Sequence, residues 1–327
     1  MLIINEQQIQ QVYNITDAIQ DVSGILAAKM HGKIDNPHRT VLDFPERQAS
    51  ALYMPSADRA DEIAGIKVVT IFPQNPQAGK PTTQGMIMLA DAADGAHLAL
   101  MGASYLTRLR TGALSAIATD RLARQDSKIL AVIGTGAMAF EQVLGVLAVR
   151  SIEKIILINR TPEKAEAFGA KMTAFGINVP FEIASDKAEA IRQAHIICCA
   201  TRSDNPVFSG EDLQPGTHIN GVGSYLPSMR EVDEATIYRA DKIVVDDLAG
   251  VMAEAGELIH CAETGRWSFD DIHAELAELS AENKNGRETL EEITFFKSVG
   301  AAYFDLAVAK GVYAKALEQK IGVELEM

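Results

Sequence analysis

The sequence predicts an α/β protein in two parts, a parallel sheet wrapped by helices and, ahead of it, a smaller α+β part. Three observations lead there. The stretch Lys128-Ile-Leu-Ala-Val-Ile-Gly-Thr-Gly-Ala-Met-Ala139 reads as a buried strand running into a glycine-rich turn and a helix. From it, strand and helix alternate to about residue 200, the signature of parallel pairing. The residues before about 118 instead show short alternating segments cut by Pro, Gly and Asp, which points to a mostly antiparallel sheet.

In chain order, Leu2 to Asn5 reads as a short strand and Glu6 to Met30 as one or two amphipathic helices. Strand-like segments follow at Arg39 to Phe44, Ala49 to Pro55, Ile63 to Phe72, Gly85 to Asp91 and His97 to Met101. Tyr105 to Leu122 is a helix whose Gly112, Ala113, Ala116 and Ala118 permit close packing, and it links the two parts. Then come strand Ile129 to Ile133, a helix from Phe140 to Val149, strand Ile155 to Asn159, helix Thr161 to Phe175, strand Val179 to Ile183, helix Ser185 to Gln193 and strand His195 to Ala200. Thr217 to Gly223 and Lys242 to Asp246 are further strands, Trp267 to Leu279 a further helix, and Ser298 to Gln319 a long Ala-rich helix. The expected division is residues 1–118 with the returning segment 301–327 as one domain and 119–300 as the other.

The glycine turn defines a Rossmann domain. Ile129 to Ile133 is apolar on both faces, as a central parallel strand must be. Gly134 permits the tight turn, Gly136 lets the backbone approach a pyrophosphate, and Ala139 allows close helix-to-strand packing, with the phosphates at the N-terminus of the next helix. Enzymes using NAD place an Asp or Glu at the end of the second strand to accept the ribose 2′-hydroxyl. Asn159-Arg160-Thr161 stands here instead, and one guanidinium with two short polar groups suits a 2′-phosphate. NADP(H) is therefore the expected cofactor, with NAD(H) left open. Thr161-Pro162 also reads simply as a helix start, Thr at the N-cap and Pro at the first position.

The 327 residues are 47% hydrophobic, enough for a sizeable core in two domains. A formal charge of -14 argues against a nucleic-acid partner, since phosphate recognition needs clustered Lys and Arg. No apolar stretch approaches a membrane span, and MLIINEQQIQQ lacks the basic-then-apolar pattern of a signal peptide. Cys198, Cys199 and Cys261 are odd in number and lack metal-ligand spacing, so they read as reduced core residues of a cytoplasmic protein, and no metal is expected.

Three cations of the first part stand beside apolar or turn residues: Arg39 after Pro37-His38, Lys67 inside the apolar strand Ile63 to Ile71, and Arg110 on the Tyr105 helix. Each alone reads as an edge-strand or surface charge. Together they can clamp a carboxylate, Arg through a bidentate fork and Lys as a point charge or proton relay.

Six stretches in one order, Pro37-His-Arg-Thr40, Gly65-Ile-Lys-Val-Val69, Leu106-Thr-Arg-Leu-Arg-Thr-Gly-Ala-Leu-Ser-Ala116, Gly134-Thr-Gly-Ala137, Pro215-Gly-Thr-His-Ile-Asn220 and Phe296-Lys-Ser-Val-Gly300, resemble the ornithine cyclodeaminase and mu-crystallin family over essentially the whole chain. The resemblance implies that Arg39 and Lys67 are the substrate-carboxylate and catalytic cations. It implies that Thr83 and Arg110 lie near the cofactor phosphates, and that Thr201, Val222 and Ser298 lie along the nicotinamide half. It also implies a homodimer joined through the first domain. Two departures matter. Met138, beside Ala137 in the cofactor turn, replaces a family Gln, and Gln142 replaces a His. Ser224 occupies the place of the cyclodeaminase's catalytic Asp, in a run that resembles the family's imine reductases.

The resemblance thus implies NADPH-dependent reduction of a cyclic α-imino acid such as 1-pyrroline-2-carboxylate or 1-piperideine-2-carboxylate, to proline or pipecolate. Alternatives are ornithine cyclodeaminase, an alanine-type amino-acid dehydrogenase, and a non-enzymatic crystallin-like protein that binds NADPH and a ligand. Retention of Lys67 and Arg39 argues against the last, which needs neither.

Overall fold

A computed structural model of the chain describes residues 1–326 and contains two compact units, residues 1–110 with the segment from Ala301 onward, and residues 111–300. The division falls inside the Ser104–Leu122 helix at Arg110, earlier in that helix than the sequence reading set it.

In the first unit the sheet runs Val323–Glu324, Leu2–Ile4, His97–Gly102, Thr83–Asp91, Ile63–Ile71, Ala49–Asp58, Ile34–Asp35, with Thr40–Phe44 also paired to Ala49–Asp58. Its pairs are antiparallel except Leu2–Ile4 on His97–Gly102. The stretch Glu6 to Met30 breaks into Glu6–Val12 and Ile15–Met30, because Asn5 and Asn14 each close a capping box at the start of a helix. The C-terminal helix, Ala302–Gln319, buries Tyr303, Phe304, Leu306, Ala307 and Val308. It lies so close to the central strand that a Cβ on Gly65 would sit 3.0 Å from Leu306 Cδ1 and 2.9 Å from the Met88 carbonyl oxygen.

In the second unit all eight strands are parallel, in the order Phe181–Ile183, Lys154–Ile158, Ile129–Ile133, Ile196–Cys199, His218–Gly221, Thr294–Lys297, Lys242–Val245, Ala274–Glu275. Alternate residues of each strand enter opposite cores. Leu130, Val132, Ile155 and Leu157 pack with Phe140, Val143, Val146 and Phe168. Ala131, Ile133, Ile156 and Ile197 join the cluster of Ile191, Leu258 and Trp267. Helix Ala137–Val149 meets Ser104–Leu122 backbone to backbone, since a Cβ on Gly112 would lie 2.2 Å from the Glu141 carbonyl oxygen. Cys198, Cys199 and Cys261 are free and buried, and burial pushes the Cys198 thiol up to about 12.

Three sequence expectations are corrected, and one strand is added. Trp267 to Leu279 is not one helix: Phe269–Asp271 is a 3-10 turn, Ala274–Glu275 pairs with Val244 and Val245, and only Leu276–Ser280 is α-helical. Edge pairing on the sheet outweighs the helical period of that segment. Thr294–Lys297, to which the sequence reading assigned no element, is a fully buried strand between His218–Gly221 and Lys242–Val245. The C-terminal helix begins at Ala302 instead of Ser298, because the Ser298 hydroxyl and the Gly300 amide both donate to Asp246 at 2.7 Å. The third strand is cut to Phe181–Ile183.

Among the described residues no helix is long and apolar enough to cross a membrane. Among them too, no group of three or more His, Cys, Asp and Glu is placed to hold a metal ion.

Candidate active site

In the first unit, Lys67 faces Met54 and Ile87 at the centre of the sheet and is 3% exposed. Its Nζ donates to Asp305 Oδ2 at 2.7 Å, and Arg110 Nε donates to Asp305 Oδ1 at 3.3 Å. Asp305, 1% exposed, comes from the first turn of the Ala302–Gln319 helix, so the close approach at Gly65 carries this carboxylate to the sheet. Burial pulls the Lys67 ammonium down to about 8; Asp305 pushes it back up, while Arg110 and Arg39 lower it. Burial alone would raise the Asp305 carboxyl, but Lys67 and Arg110 outweigh it and hold the group below its usual range. The cluster therefore joins three of the cations picked from sequence, Lys67 and Arg110 by direct bonds and half-buried Arg39 by its field on Lys67. Thr83 opens the Thr83–Asp91 strand, opposite Ile71 at the far end of the strand carrying Lys67. Asp305 was not foreseen. Its signal was a lone carboxylate within the apolar run Ala301-Ala-Tyr-Phe-Asp-Leu-Ala-Val308.

In the second unit, Gly134 turns with φ +85°, and a Cβ there would lie 2.7 Å from Thr201 Cγ2 and 2.9 Å from the Ala200 carbonyl oxygen. Around the Cα of Gly136 there is open space, with nothing within 4 Å of a Cβ added there. Gly136 is the N-cap of Ala137–Val149; no side chain caps that helix and its first turn, with Ala137 and Met138, carries no acidic residue. Thr135 Oγ1 is buried without a partner. A helix end lacking a cap, a cradle of absent side chains and an orphaned hydroxyl fit a pyrophosphate. At the tip of the second strand, Asn159 Nδ2 donates to the Thr161 carbonyl at 2.9 Å, and Arg160 is exposed. Thr161 is the N-cap of Pro162–Phe175 but its hydroxyl makes no capping bond. The first acidic residue of that helix, Glu163, points the charge balance the other way.

At the C-terminal ends of the next strands, Val222 is buried and its amide donates to the Cys199 carbonyl at 3.0 Å, and the Ser298 amide donates to the Gly221 carbonyl at 3.0 Å. Ser224 is fully buried, its Oγ 2.5 Å from Lys297 Nζ and 2.9 Å from Glu257 Oε1, while Lys297 and Glu257 pair at 2.9 Å. Glu231, also fully buried, accepts from Thr201, Gly223 and Ser224. The family resemblance singled out Thr201, Val222, Ser224 and Ser298 but not the charged residues behind them. Glu231 and Glu257 lie within mixed segments where no spacing marks a buried charge, whereas Lys297 follows the apolar Phe295-Phe296 and was passed over.

The model of the ornithine cyclodeaminase/mu-crystallin family matches residues 1–320. A Delta(1)-pyrroline-2-carboxylate reductase of Bacillus cereus is 43% identical over 326 residues, covering 100% of both chains. The Delta(1)-pyrroline-2-carboxylate reductase of Thermococcus litoralis, solved in complex with NADH and L-proline, is 37% identical, with a TM-score of 0.96 over 99% of this chain and 100% of that one. An archaeal alanine dehydrogenase, solved as a dimer with bound NAD, is 32% identical, with a TM-score of 0.93 over 100% and 99%.

Proposed function

The chain belongs to the ornithine cyclodeaminase/mu-crystallin family, and from that premise we propose that it is a nicotinamide-dependent reductase of cyclic α-imino acids, converting 1-pyrroline-2-carboxylate to proline, with 1-piperideine-2-carboxylate as the larger-ring candidate. One observation carries the reading beyond the likeness to reductases: a buried lysine held near neutral pKa beside two arginines and one aspartate. Lys67, Arg110 and Arg39 carry two more positive charges than balance Asp305, so the set suits an anionic substrate. Arg39 takes the substrate carboxylate through a bidentate fork. Lys67, with its ammonium pulled down to about 8, gives a proton to the imine nitrogen. Asp305 keeps Lys67 oriented and protonated enough to do so. The dinucleotide, when bound, supplies the hydride that C2 receives.

The phosphates of the cofactor fall to the turn Gly134 to Met138, and its adenosine ribose to Asn159, Arg160 and Thr161. With no carboxylate at that strand tip and an idle Thr161 hydroxyl, NADPH is the preferred donor, although NADH and NAD are what the two solved relatives hold. Ser224 takes the place of a cyclodeaminase Asp with a group that bears no charge at neutral pH and cannot serve as a carboxylate base. Glu257 behind it is engaged by Lys297. The assembly is a homodimer. Every residue of the strand Thr40–Phe44 is exposed, Val41, Leu42 and Phe44 included, and the solved alanine dehydrogenase is described as a dimer.

A steady-state panel tests the reading: cyclic imines with NADPH or NADH, set against ornithine, lysine and alanine with NAD+. Reduction of 1-pyrroline-2-carboxylate should give the highest kcat/KM. Stoichiometric release of ammonia from ornithine faster than imine reduction would overturn the assignment.

A further inference from the structure

The Rossmann sheet of the second unit has its glycine turn after Ile129–Ile133, with Lys154–Ile158 on one side and Ile196–Cys199, His218–Gly221 and Thr294–Lys297 on the other. In such sheets ligands lie outside the carboxyl ends of the strands, and a dinucleotide spans the switch in strand order. The adenosine half belongs with the strand that ends in Asn159, and the nicotinamide half with the loops that follow Cys199 and Gly221. Those two loops are tied together by a single side chain. Glu231 Oε1 accepts from the Thr201 amide at 2.6 Å and the Thr201 hydroxyl at 2.8 Å. Its Oε2 accepts from the Gly223 amide at 2.6 Å and the Ser224 amide at 3.1 Å.

The loops are in contact as well as linked. A Cβ on Gly223 would meet the Thr201 carbonyl oxygen at 2.1 Å, its amide nitrogen at 2.2 Å and Glu231 Oε1 at 2.6 Å. Beneath them Lys297 donates to the Ser224 carbonyl at 2.7 Å and to its hydroxyl at 2.5 Å. The next loop is held in the same manner, by Asp246 accepting from Ser298 and Gly300. Fully buried carboxylates in the dry interior of a domain are costly unless each oxygen is saturated with donors. Here the donors are backbone amides and two hydroxyls of loops facing the ligand side of the sheet, so the bonds fix loop shape.

We propose that Glu231 is a positioning residue for the nicotinamide half of the cofactor, clasping the Thr201 and Gly223-Ser224 loops into one rigid wall. The inference rests on the dinucleotide reading above. It separates Glu231 from the residues of the glycine turn, which act on the pyrophosphate.

The test compares NADH with ADP-ribose, which lacks the nicotinamide, by titration calorimetry on the full-length wild type, Glu231→Gln and Thr201→Val. Glu231→Gln keeps the size of the side chain but turns an NH2 toward two amide N–H groups, so one loop is released. NADH should bind about tenfold more weakly, the loss expected for charge-assisted hydrogen bonds, with ADP-ribose changed less than about twofold. Thr201→Val removes one donor and keeps the shape, and should weaken NADH by roughly threefold, again sparing ADP-ribose. Unchanged NADH affinity in the variants overturns the inference, as does an equal loss for both ligands, which marks Glu231 as a general scaffold residue. If Glu231→Gln fails to fold, Glu231→Asp, which keeps the charge but is too short to reach both loops, decides by the same criteria. Because no imine is needed, a wild type that binds NADH but reduces no imine refutes the proposed substrate and leaves this inference standing on its variants. A wild type that binds neither ligand refutes both.

Discussion

A lysine inside a sheet is costly to charge, and Asp305, 2.7 Å away, favours the protonated form of Lys67 against its burial. The sign of its pH dependence follows. Imine reduction uses the protonated form, so its rate should fall as pH rises through about 8, while oxidation of proline uses the neutral form and should rise through the same value. Asp305→Asn removes the influence that raises the Lys67 pKa, and the descending limb of reduction should move to lower pH. A limb that stays in place would show that some other group titrates. Lys67→Ala should lower kcat by about a hundredfold and Arg39→Ala should mainly raise KM; near-normal turnover in folded Lys67→Ala would make the lysine structural. At the strand tip, Arg160→Ala should weaken NADPH by roughly tenfold or more and leave NADH nearly unchanged. Equal kcat/KM for the two cofactors in the wild type would remove the basis of that preference.

Elements were legible in the sequence where one physical signal dominated. The strand Ile129–Ile133 and the helix after its glycines are apolar on a period that tertiary context only reinforces. Glu6 to Met30 read only as one or two helices, and it is the structure that shows Asn5 and Asn14 capping two. Thr294–Lys297 was not legible: its four residues are fully buried, two of them polar, and only the neighbouring strands supply their partners. The same holds for the site. Lys67 and Arg39 stood out as cations in apolar or turn settings, whereas Asp305 and Glu231 act through residues about 240 and 30 positions away or less, a distance no spacing rule spans. Close packing of helices was legible as small residues at Gly112 and Ala116. The structure sharpens it to a prediction: with 2.2 Å between an added Cβ and the Glu141 carbonyl oxygen, Gly112→Ala must push the two helices apart. Overpacking of this kind should cost about 1 to 3 kcal/mol, read as a lower urea midpoint with unchanged m-value. A midpoint equal to the wild type would mean that the helices separate freely.

For the whole molecule, the response to acid turns on which buried groups bind protons only when unfolded. His218 is fully buried, with Nδ1 2.9 Å from Thr294 Oγ1 and Nε2 3.2 Å from Asn220 Oδ1. Burial, helped by Arg287 and Arg150, pulls its imidazole down to about 3. The unfolded chain therefore binds a proton at this position from about pH 6.5 downward, while the folded chain does not until about 3. Stability is complete above 6.5 and is lost as pH falls across that window, at about 1.4 kcal/mol per pH unit. His195, which accepts from the Lys128 amide at 2.9 Å and is lowered chiefly by burial, has the same sign. Glu231 and Asp21, both raised chiefly by burial, have the opposite sign, since the folded form of each binds its proton first on acidification. Asp305, held low, gives up its stabilisation only below the ordinary carboxylate range. Between pH 7.5 and 5 His218 alone accounts for on the order of 2 kcal/mol, a large part of a typical folding free energy. His218→Gln cannot titrate and retains hydrogen-bonding groups. It should be less stable than the wild type at pH 7.5, where the imidazole is the better fit, and should lose less on going to pH 5. Urea unfolding of both proteins at the two pH values measures the difference directly. Equal losses in the two would show that the acid sensitivity of the fold comes from elsewhere.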